Sequence, residues 1–383
     1  MHKPAEHYQV CTRCVMDTSD PEIRFDADGV CNHCHTFDTV TRLDWFPNAE
    51  GQALWEAEVA RIKRNGAGQP YDSILGLSGG VDSSYLALKI AEAGLRPLVV
   101  HVDAGWNSEL AVANIETIVK HCQFDLHTHV VNWEDMRDMH LAFLRSGISN
   151  QDVPQDHIFF STLYHFAIEN GISTVFSGGN TATEGIFPAA WHGPAMDAIN
   201  LRAIHSRFGS RKLKNYRTIS FFKYYVEYPL LRKMRTVRPL NYMPFNKALA
   251  IAELEQKCGW RSYGRKHGES LFTKLFQNHI LPTRFGYDKR RPHLSSLIAS
   301  GQMSRDDALA ALGEPLYDPV ELEIDINYFC KKLRISRSEF DDLIAAPLRS
   351  HTEFPNWARR QKMAKLAQSV AGRIRGRKIR VYS

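Results

Sequence analysis

The chain has 383 residues, 44% of them hydrophobic, 23% charged and 11% aromatic, which excludes disordered, collagen-like and low-complexity polymers and leaves one large or two ordinary globular domains. Its longest apolar runs, such as Arg96 to His101, fall far short of the roughly 20 residues a membrane helix needs, and Met1-His-Lys-Pro-Ala-Glu-His-Tyr has no apolar signal core, so a cytoplasmic protein with reduced thiols is expected. The net charge of +6 conceals two basic zones on an acidic body: nine Lys or Arg and no acid over 354–383, and eleven against the single Glu227 over 202–238. Such zones are either solvated faces or sites of attraction for phosphate groups, nucleic acid or an acidic partner.

Residues 1–50 are rich in Cys, Asp and His with little apolar periodicity, as in a small element held by a metal. From there the spacing predicts a helix over 53–65, a buried strand over 73–77, a helix over 83–93, a strand over 95–102, a helix over 109–121, a strand over 126–131, a helix near 157–170 and a strand over 174–177. This alternation implies βαβ units and a parallel sheet. After about residue 200 the pattern turns mainly helical, with segments at 246–258, 269–278, 304–312, 336–345 and 357–371. The expected organisation is a metal-binding element (1–50), an α/β domain (51–200) and a mainly helical region (201–383).

Ser78-Gly79-Gly80-Val81-Asp82-Ser83-Ser84 lies between the first predicted strand and the helix after it. Two glycines allow a sharp turn and a close approach of backbone to ligand, and the helix N-terminus offers unpaired N–H groups, so the string reads as a phosphate site. It lacks the lysine of G-x-x-x-x-G-K-[ST]. It resembles instead the S-G-G-x-D-S signature of the PP-loop ATP pyrophosphatases, of Rossmann-like HUP type, a resemblance that implies ATP on Ser78, Gly79, Gly80, Asp82 and Ser83, with Asp82 helping to hold Mg²⁺. The next strand ends in His101-Val102-Asp103, where Asp103 and the backbone at Val102 are candidates to meet ATP, since open α/β sheets bind ligands at their carboxyl edge. The strand at 174–177 ends in Gly178-Gly179-Asn180-Thr-Ala-Thr-Glu184, a third phosphate- or substrate-facing loop or an ordinary glycine turn.

Cys11-x2-Cys14-x16-Cys31-x2-Cys34 pairs two C-x-x-C knuckles and suits tetrahedral thiolate coordination, of Zn²⁺ or, with the same four ligands, an iron-sulfur cluster. Four filled positions make the metal structural. Cys122, Cys258 and Cys330 are single, and none lies in the tight glycine turn of a glutaminase nucleophile.

Cys11-Thr-Arg-Cys-Val-Met-Asp-Thr-Ser-Asp-Pro21, His101-Val-Asp-Ala-Gly-Trp-Asn-Ser-Glu109, Gly264-Arg-Lys-His-Gly-Glu-Ser270 and Asp288-Lys-Arg-Arg-Pro-His-Leu-Ser-Ser296 together resemble the N-acetyl sugar amidotransferases of bacterial O-antigen and nonulosonate biosynthesis. The resemblance implies conversion of an acetamido group on a nucleotide-activated sugar, such as a UDP-diacetamido-uronic acid, to an acetamidino group with ATP and ammonia. It also implies a zinc-ribbon-like N-terminus and a separate glutaminase subunit that supplies the ammonia. It places Asn180 and Glu184 on a substrate-facing loop, where Glu184 is the candidate to orient ammonia or take its proton, and Lys266, His267, Arg290, Arg291 and His293 near the nucleotide sugar, while Gly178 is a candidate to meet the ATP. The competing readings are a tRNA-modifying enzyme with the same loop, which the basic zones favour, and a non-catalytic zinc-ribbon binding module, which the intact Asp82 and Ser83 oppose. Nucleic acid is not the expected partner, because sulfur-transferring versions use further cysteine pairs.

Overall fold

The computed structural model describes residues 8–263 and 268–364. In chain order the first elements are α1 (Asn32–Thr39), α2 (Ala49–Asn65), β1 (Ser73–Gly76), α3 (Val81–Glu92), β2 (Pro97–Asp103), α4 (Glu109–Cys122), β3 (Leu126–Val130) and α5 (Trp133–Ser146). They are followed by α6 (Val153–Glu169), β4 (Thr174–Phe176), the single-turn α7 (Thr181–Glu184), α8 (Ala198–Phe208), β5 (Arg235–Val237) and α9 (Lys247–Cys258). The C-terminal part comprises α10 (Leu271–Leu275), α11 (Arg290–Ala299), α12 (Arg305–Gly313), α13 (Pro319–Leu333) and α14 (Arg337–Ala345).

All five strands are parallel, in the order β3-β2-β1-β4-β5. Neighbouring residues of β1 show why the sequence reads as a continuous apolar run. Leu75 packs with Trp55, Leu86, Val99 and Phe176 on one face, Ile74 with Val100, Ile158 and Val175 on the other, and both are fully buried. β3 is the exposed edge. Three strands run one way from β1 and then the chain crosses back to β4, so the switch point of this doubly wound sheet lies between β1 and β4. The crevice for a ligand belongs there, outside the carboxyl ends.

β5 carries the sheet past residue 200, so the α/β body includes part of the region expected to be helical. The cysteine element shares a third core with the C-terminal helices, where Cys11, Cys34, Met16 and Phe37 pack into the cluster that holds Trp106, Phe272, Phe329 and Phe340. Nine-residue Lys223–Leu231 and ten-residue Phe276–Phe285 are wound as π-helix, each around an internal proline, Pro229 and Pro282, which supplies no N–H to an α-helical ladder.

Among the described residues no helix is long and apolar enough to cross a membrane. Four of the eleven basic residues of the zone 202–238 pair with acids of the protein itself. Arg211 pairs with Glu134, Arg217 with Glu169, Arg232 with Glu227 and Arg235 with Glu58. Most of the tail 354–383 lies outside the described residues.

Candidate active site and metal centre

The loop after β1 is fixed by its own side chains. Ser78 Oγ and Ser83 Oγ lie 3.1 Å apart, Ser83 Oγ donates to Gly80 O at 3.2 Å, and Gly80 N–H donates to Ser78 Oγ at 3.3 Å. Gly79 has φ +82°, and a Cβ there would stand 2.7 Å from Ala111 O, so this position admits only glycine. Gly80, with φ −67°, is the N-cap of α3 and contributes no side chain, which leaves the helix N-terminus open to a ligand.

The loop after β4 meets this turn across the switch point. A Cβ on Gly178 would lie 3.4 Å from Ser83 N and 3.6 Å from Asp82 Cβ, and one on Gly179 would lie 3.7 Å from a carboxylate oxygen of Glu184. Asp82, Ser83, Gly178, Gly179 and Glu184 are therefore brought together, with Glu184 exposed. Asn180 is not turned outward. Its Oδ1 accepts from Thr183 N–H at 2.9 Å and Thr183 Oγ1 at 3.1 Å, so it caps α7 and shapes the loop.

At the end of β2, Asp103 Oδ1 accepts from Gly105 N–H at 2.7 Å and from Asn107 Nδ2 at 3.1 Å, and Asn107 Nδ2 lies 2.9 Å from His101 Nε2. His101 Nδ1 in turn lies 2.8 Å from Leu77 O. The carboxyl ends of β1 and β2 are thus braced as a unit, and Val102 is buried beside them.

Two aromatic donors that no motif singles out hold the loop after β1. Trp260 Nε1–H donates to Gly79 O at 3.0 Å and Tyr263 Oη–H to the same oxygen at 2.9 Å. Burial pushes the Tyr263 phenol up to about 12, so it stays a donor at neutral pH. Lys266 and His267 lie outside the described residues.

The three remaining residues expected at the substrate lie on or beside α11 and are engaged inside the protein. Arg290 chelates Asp288 and donates to the carbonyls of Ala311, Leu312 and Glu314. Arg291 pairs with Asp17 at 3.0 Å and donates to Val15 O. His293 Nδ1 lies 3.0 Å from Thr183 O, at the last turn of α7. The guanidinium groups that looked like diphosphate ligands thus hold the C-terminal helices to the cysteine element and to each other, a use that a motif string cannot distinguish from ligand binding.

The four cysteines are fully buried, and their Sγ atoms all lie within 4.8 Å of one another. Cys14 and Cys31 are 3.7 Å apart, Cys31 and Cys34 3.8 Å, Cys11 and Cys34 4.0 Å. A tetrahedral ion at the usual Zn–S distance separates its ligands by about 3.8 Å, so the donor set fits one ion and is too tight for a multi-iron core. The N–H groups of Arg13, Cys14 and Cys31 point at Cys11 Sγ, and that of Met16 at Cys14 Sγ, as thiolates require. His33 and His35 are turned to Asp20 and Asp26 instead.

Residues 269–367, about a quarter of the chain, match the family described as LPS biosynthesis protein WbpG-like, C-terminal domain. This segment is similar to that domain and is called WbpG-like below. No curated protein sequence matches the chain. Among solved structures, the NH3-dependent NAD synthetase of Campylobacter jejuni, in complex with nitrate, is 17% identical over 35% of this chain and 60% of its own, with a TM-score of 0.28. The NMN synthetase of Francisella tularensis is 14% identical over 35% of this chain and 57% of its own, with a TM-score of 0.26. The chain therefore spans about three fifths of the length of each. The WbpG-like segment contacts the loop after β4 through His293, Ser296 and Ser300 and the cysteine element through Arg291, Ser295 and Arg305, and it sets Glu269 beside the loop after β1.

Proposed function

We propose that the protein is an ATP-dependent amidotransferase of lipopolysaccharide sugar biosynthesis, which turns an acetamido group of a nucleotide-activated sugar into an acetamidino group. The observation that carries this reading is the self-braced glycine loop at the switch point, near Glu184 and beside the start of a WbpG-like segment. An amide oxygen is a poor leaving group for ammonia. Attack of that oxygen on the α-phosphorus of ATP expels pyrophosphate and gives an O-adenylated imidate. Addition of ammonia and departure of AMP then leave the amidine.

The chain's part is to position the reactants and stabilise developing charge. The N–H groups of the loop from Gly79 to Ser83 hold the phosphates. Asp82, a carboxylate at the start of the helix that follows the loop, would help to hold Mg²⁺, which bound there would neutralise phosphate charge. Glu184, exposed at the end of α7, accepts the proton that ammonia sheds as it adds. The four cysteines hold a structural Zn²⁺. Ammonia comes from a separate glutaminase, as none of Cys122, Cys258 and Cys330 lies in a nucleophile turn. A nucleic-acid substrate gains less support from 202–238 than its charge suggests, since Arg211, Arg217, Arg232 and Arg235 are paired with the protein's own acids.

The test is incubation of the purified chain with Mg-ATP, ammonium chloride and a set of acetamido nucleotide sugars. AMP and pyrophosphate should appear together with a sugar whose mass reports exchange of one oxygen for NH. Glu184→Gln should slow that turnover while leaving Mg-ATP binding intact. Formation of ADP, or AMP release that requires tRNA, would overturn the reading.

A further inference from the structure

A group of unlike polar side chains gathers at the start of α6. That helix leads into β4 and packs Ile158, Leu163 and Ala167 against Ile74, Val100 and Val175. As the crossover to a parallel strand it runs against the sheet, which puts residues 150–156 on the same edge as the loops after β1 and β4. Asp152, at the N-cap, is spent inside the protein: its carboxylate accepts from Gln155 Nε2 and, at 3.1 Å, from Thr273 Oγ1. Asp156, one turn on, is different. Burial and then the charge of Asp152 push its carboxyl well above the usual range, yet it keeps accessible surface, and among the described residues no group hydrogen-bonds to it. Gln151 has no exposure, and neither its Oε1 nor its Nε2 has a hydrogen-bond partner. Buried polar groups are nearly always paired, so two orphans within about one turn call for a group that the chain does not supply.

The facing wall comes from the segment after Glu184 and from Lys289. The Lys289 ammonium, whose charge reaches both acids, stands 2.6 Å from His192 Nε2, and burial followed by that ammonium keeps the imidazole neutral. Phe187, an exposed ring, stacks on the same imidazole with centroids 3.6 Å apart. What such a site takes follows from its charge. Two acids beside one ammonium offer a phosphate no net attraction. Three metal-ligand side chains do not converge here either, since among the described residues only the four cysteines do so. A buried carboxyl that holds its proton and a primary amide each present a donor and an acceptor, which suits hydroxyl and acetamido groups, and an exposed aromatic face suits the apolar side of a sugar ring. We propose that the acetamido-bearing ring of the nucleotide sugar sits here, against Phe187, with its hydroxyl and acetamido groups on Asp156 and Gln151 and its charged nucleotide outside the acidic pair. The proposal rests on the reading of the protein as an acetamido-sugar enzyme. It moves sugar recognition from the arginines of α11, which hold the protein together, to the start of α6.

The experiment is calorimetric titration of the full chain with a UDP-diacetamido-uronic acid, with UDP alone and with Mg-ATP, for the wild type, Asp156→Ala and Asp156→Asn, alongside the melting temperature of each free protein. Asp156→Ala should weaken binding of the nucleotide sugar about tenfold, as the loss of hydrogen bonding to a buried group implies, with UDP and Mg-ATP bound as before. Asp156→Asn, which keeps a donor and an acceptor, should recover part of the loss. Because Asp156 has no hydrogen bond within the protein to lose, Asp156→Ala should melt no lower than the wild type, whereas a residue that merely holds α6 would melt lower at full sugar affinity. Full sugar affinity in Asp156→Ala, or equal weakening of all three ligands, would overturn the site. Should Asp156→Ala fail to fold, Phe187→Ala changes only an exposed ring: several-fold weaker sugar binding with unaltered UDP binding supports the proposal, and unaltered sugar binding overturns it. A wild type that binds Mg-ATP but holds the nucleotide sugar no better than UDP would overturn the acetamido-sugar reading itself.

Discussion

Gly79 and Gly80 are adjacent and equally small, yet their replacements should fail in opposite ways. At Gly79, alanine would occupy the left-handed region at φ +82°, which costs an L-residue about 1–2 kcal/mol. Its methyl would also press on Ala111 O, a backbone atom 2.7 Å away, and forced shifts of that kind add about 1–3 kcal/mol. Gly79→Ala should therefore lose about 2–5 kcal/mol, a large share of the 5–15 kcal/mol by which domains are stable. At Gly80 the backbone is ordinary, with φ −67°. The nearest atoms to a methyl are the side-chain termini Ser78 Oγ at 3.3 Å and Glu269 Oε1 at 3.7 Å. Gly80→Ala should stay within about 1 kcal/mol of the wild type, while the methyl stands where phosphate meets backbone and weakens Mg-ATP binding by at least tenfold. Urea unfolding and calorimetry on the two variants separate these effects. Equal stability of the two, or wild-type ATP affinity in Gly80→Ala, would refute the assignment.

The cysteine centre should hold one ion per chain by elemental analysis, and Cys31→Ser or a strong chelator should lower the melting temperature, because the binding free energy of a structural metal is also folding free energy. His140 makes a separate prediction about pH. It is fully buried, accepts the Trp106 indole N–H at 3.0 Å, and burial followed by the nearby Lys332 ammonium lowers its pKa from 6.5 to about 3. A depressed histidine contributes stability that is present above the unfolded pKa and is lost as pH falls below it. Between pH 7 and pH 5 the wild type should therefore lose about 2 kcal/mol through this residue. The stability difference between the wild type and His140→Gln should shrink by that amount over the same range, and a difference independent of pH would show that His140 takes up its proton in the fold as readily as in the unfolded chain.

The strand and helix alternation up to residue 177 was legible because each of its strands except β3 is buried on both faces and each crossover helix has one apolar side. α5 was not legible. Asp135, Asp138 and His140 are fully buried on it, and the two acids accept backbone N–H groups from Lys214, Asn215 and Ser210 of the following segment, so polar letters stand where a periodicity argument needs apolar ones. β5 is three residues with only Val237 buried, too short for its pattern to register. α13 did carry a signal, the N-cap Asp318 before Pro319, whose side chain accepts from Glu321 N–H in the first turn. The glycine turn after β1 and the clustering of the four cysteines were legible because each is local in sequence. Trp260, Tyr263 and Glu269 reach Gly79 and Gly80 from some 180 residues away, and spacing alone holds no trace of such a contact. Arg290 and Arg291 show the converse: residue types suited to phosphate that the fold uses for carbonyls and Asp17.

The placement of Glu184 follows from the metal centre by a short chain of contacts. α7 is one turn long and cannot satisfy its own C-terminal carbonyls. α11 does so from outside, with Ser300 Oγ donating to Ala182 O at 2.8 Å and His293 Nδ1 set 3.0 Å from Thr183 O. Ser296 Oγ accepts from Ile186 N–H at 2.9 Å, and its neighbour Ser295 Oγ accepts from Val15 N–H at 3.2 Å, one residue past Cys14. Arg305 donates to the carbonyls of Cys11 and Cys14 from α12. One helix therefore grips the cysteine knuckle and the turn that carries Glu184. Ser296→Ala would leave a buried N–H without a partner, at about 1–3 kcal/mol, and that cost falls on the α7 turn and spares the loop after β1. Turnover with ammonium should drop several-fold while Mg-ATP affinity is unchanged, the reverse of Gly80→Ala. Partial removal of the metal should produce the same signature in the protein that remains folded, since α11 then loses its hold on Val15. A parallel loss of ATP affinity and turnover in Ser296→Ala would mean that the two loops respond as one body, and that α11 does not position Glu184 separately.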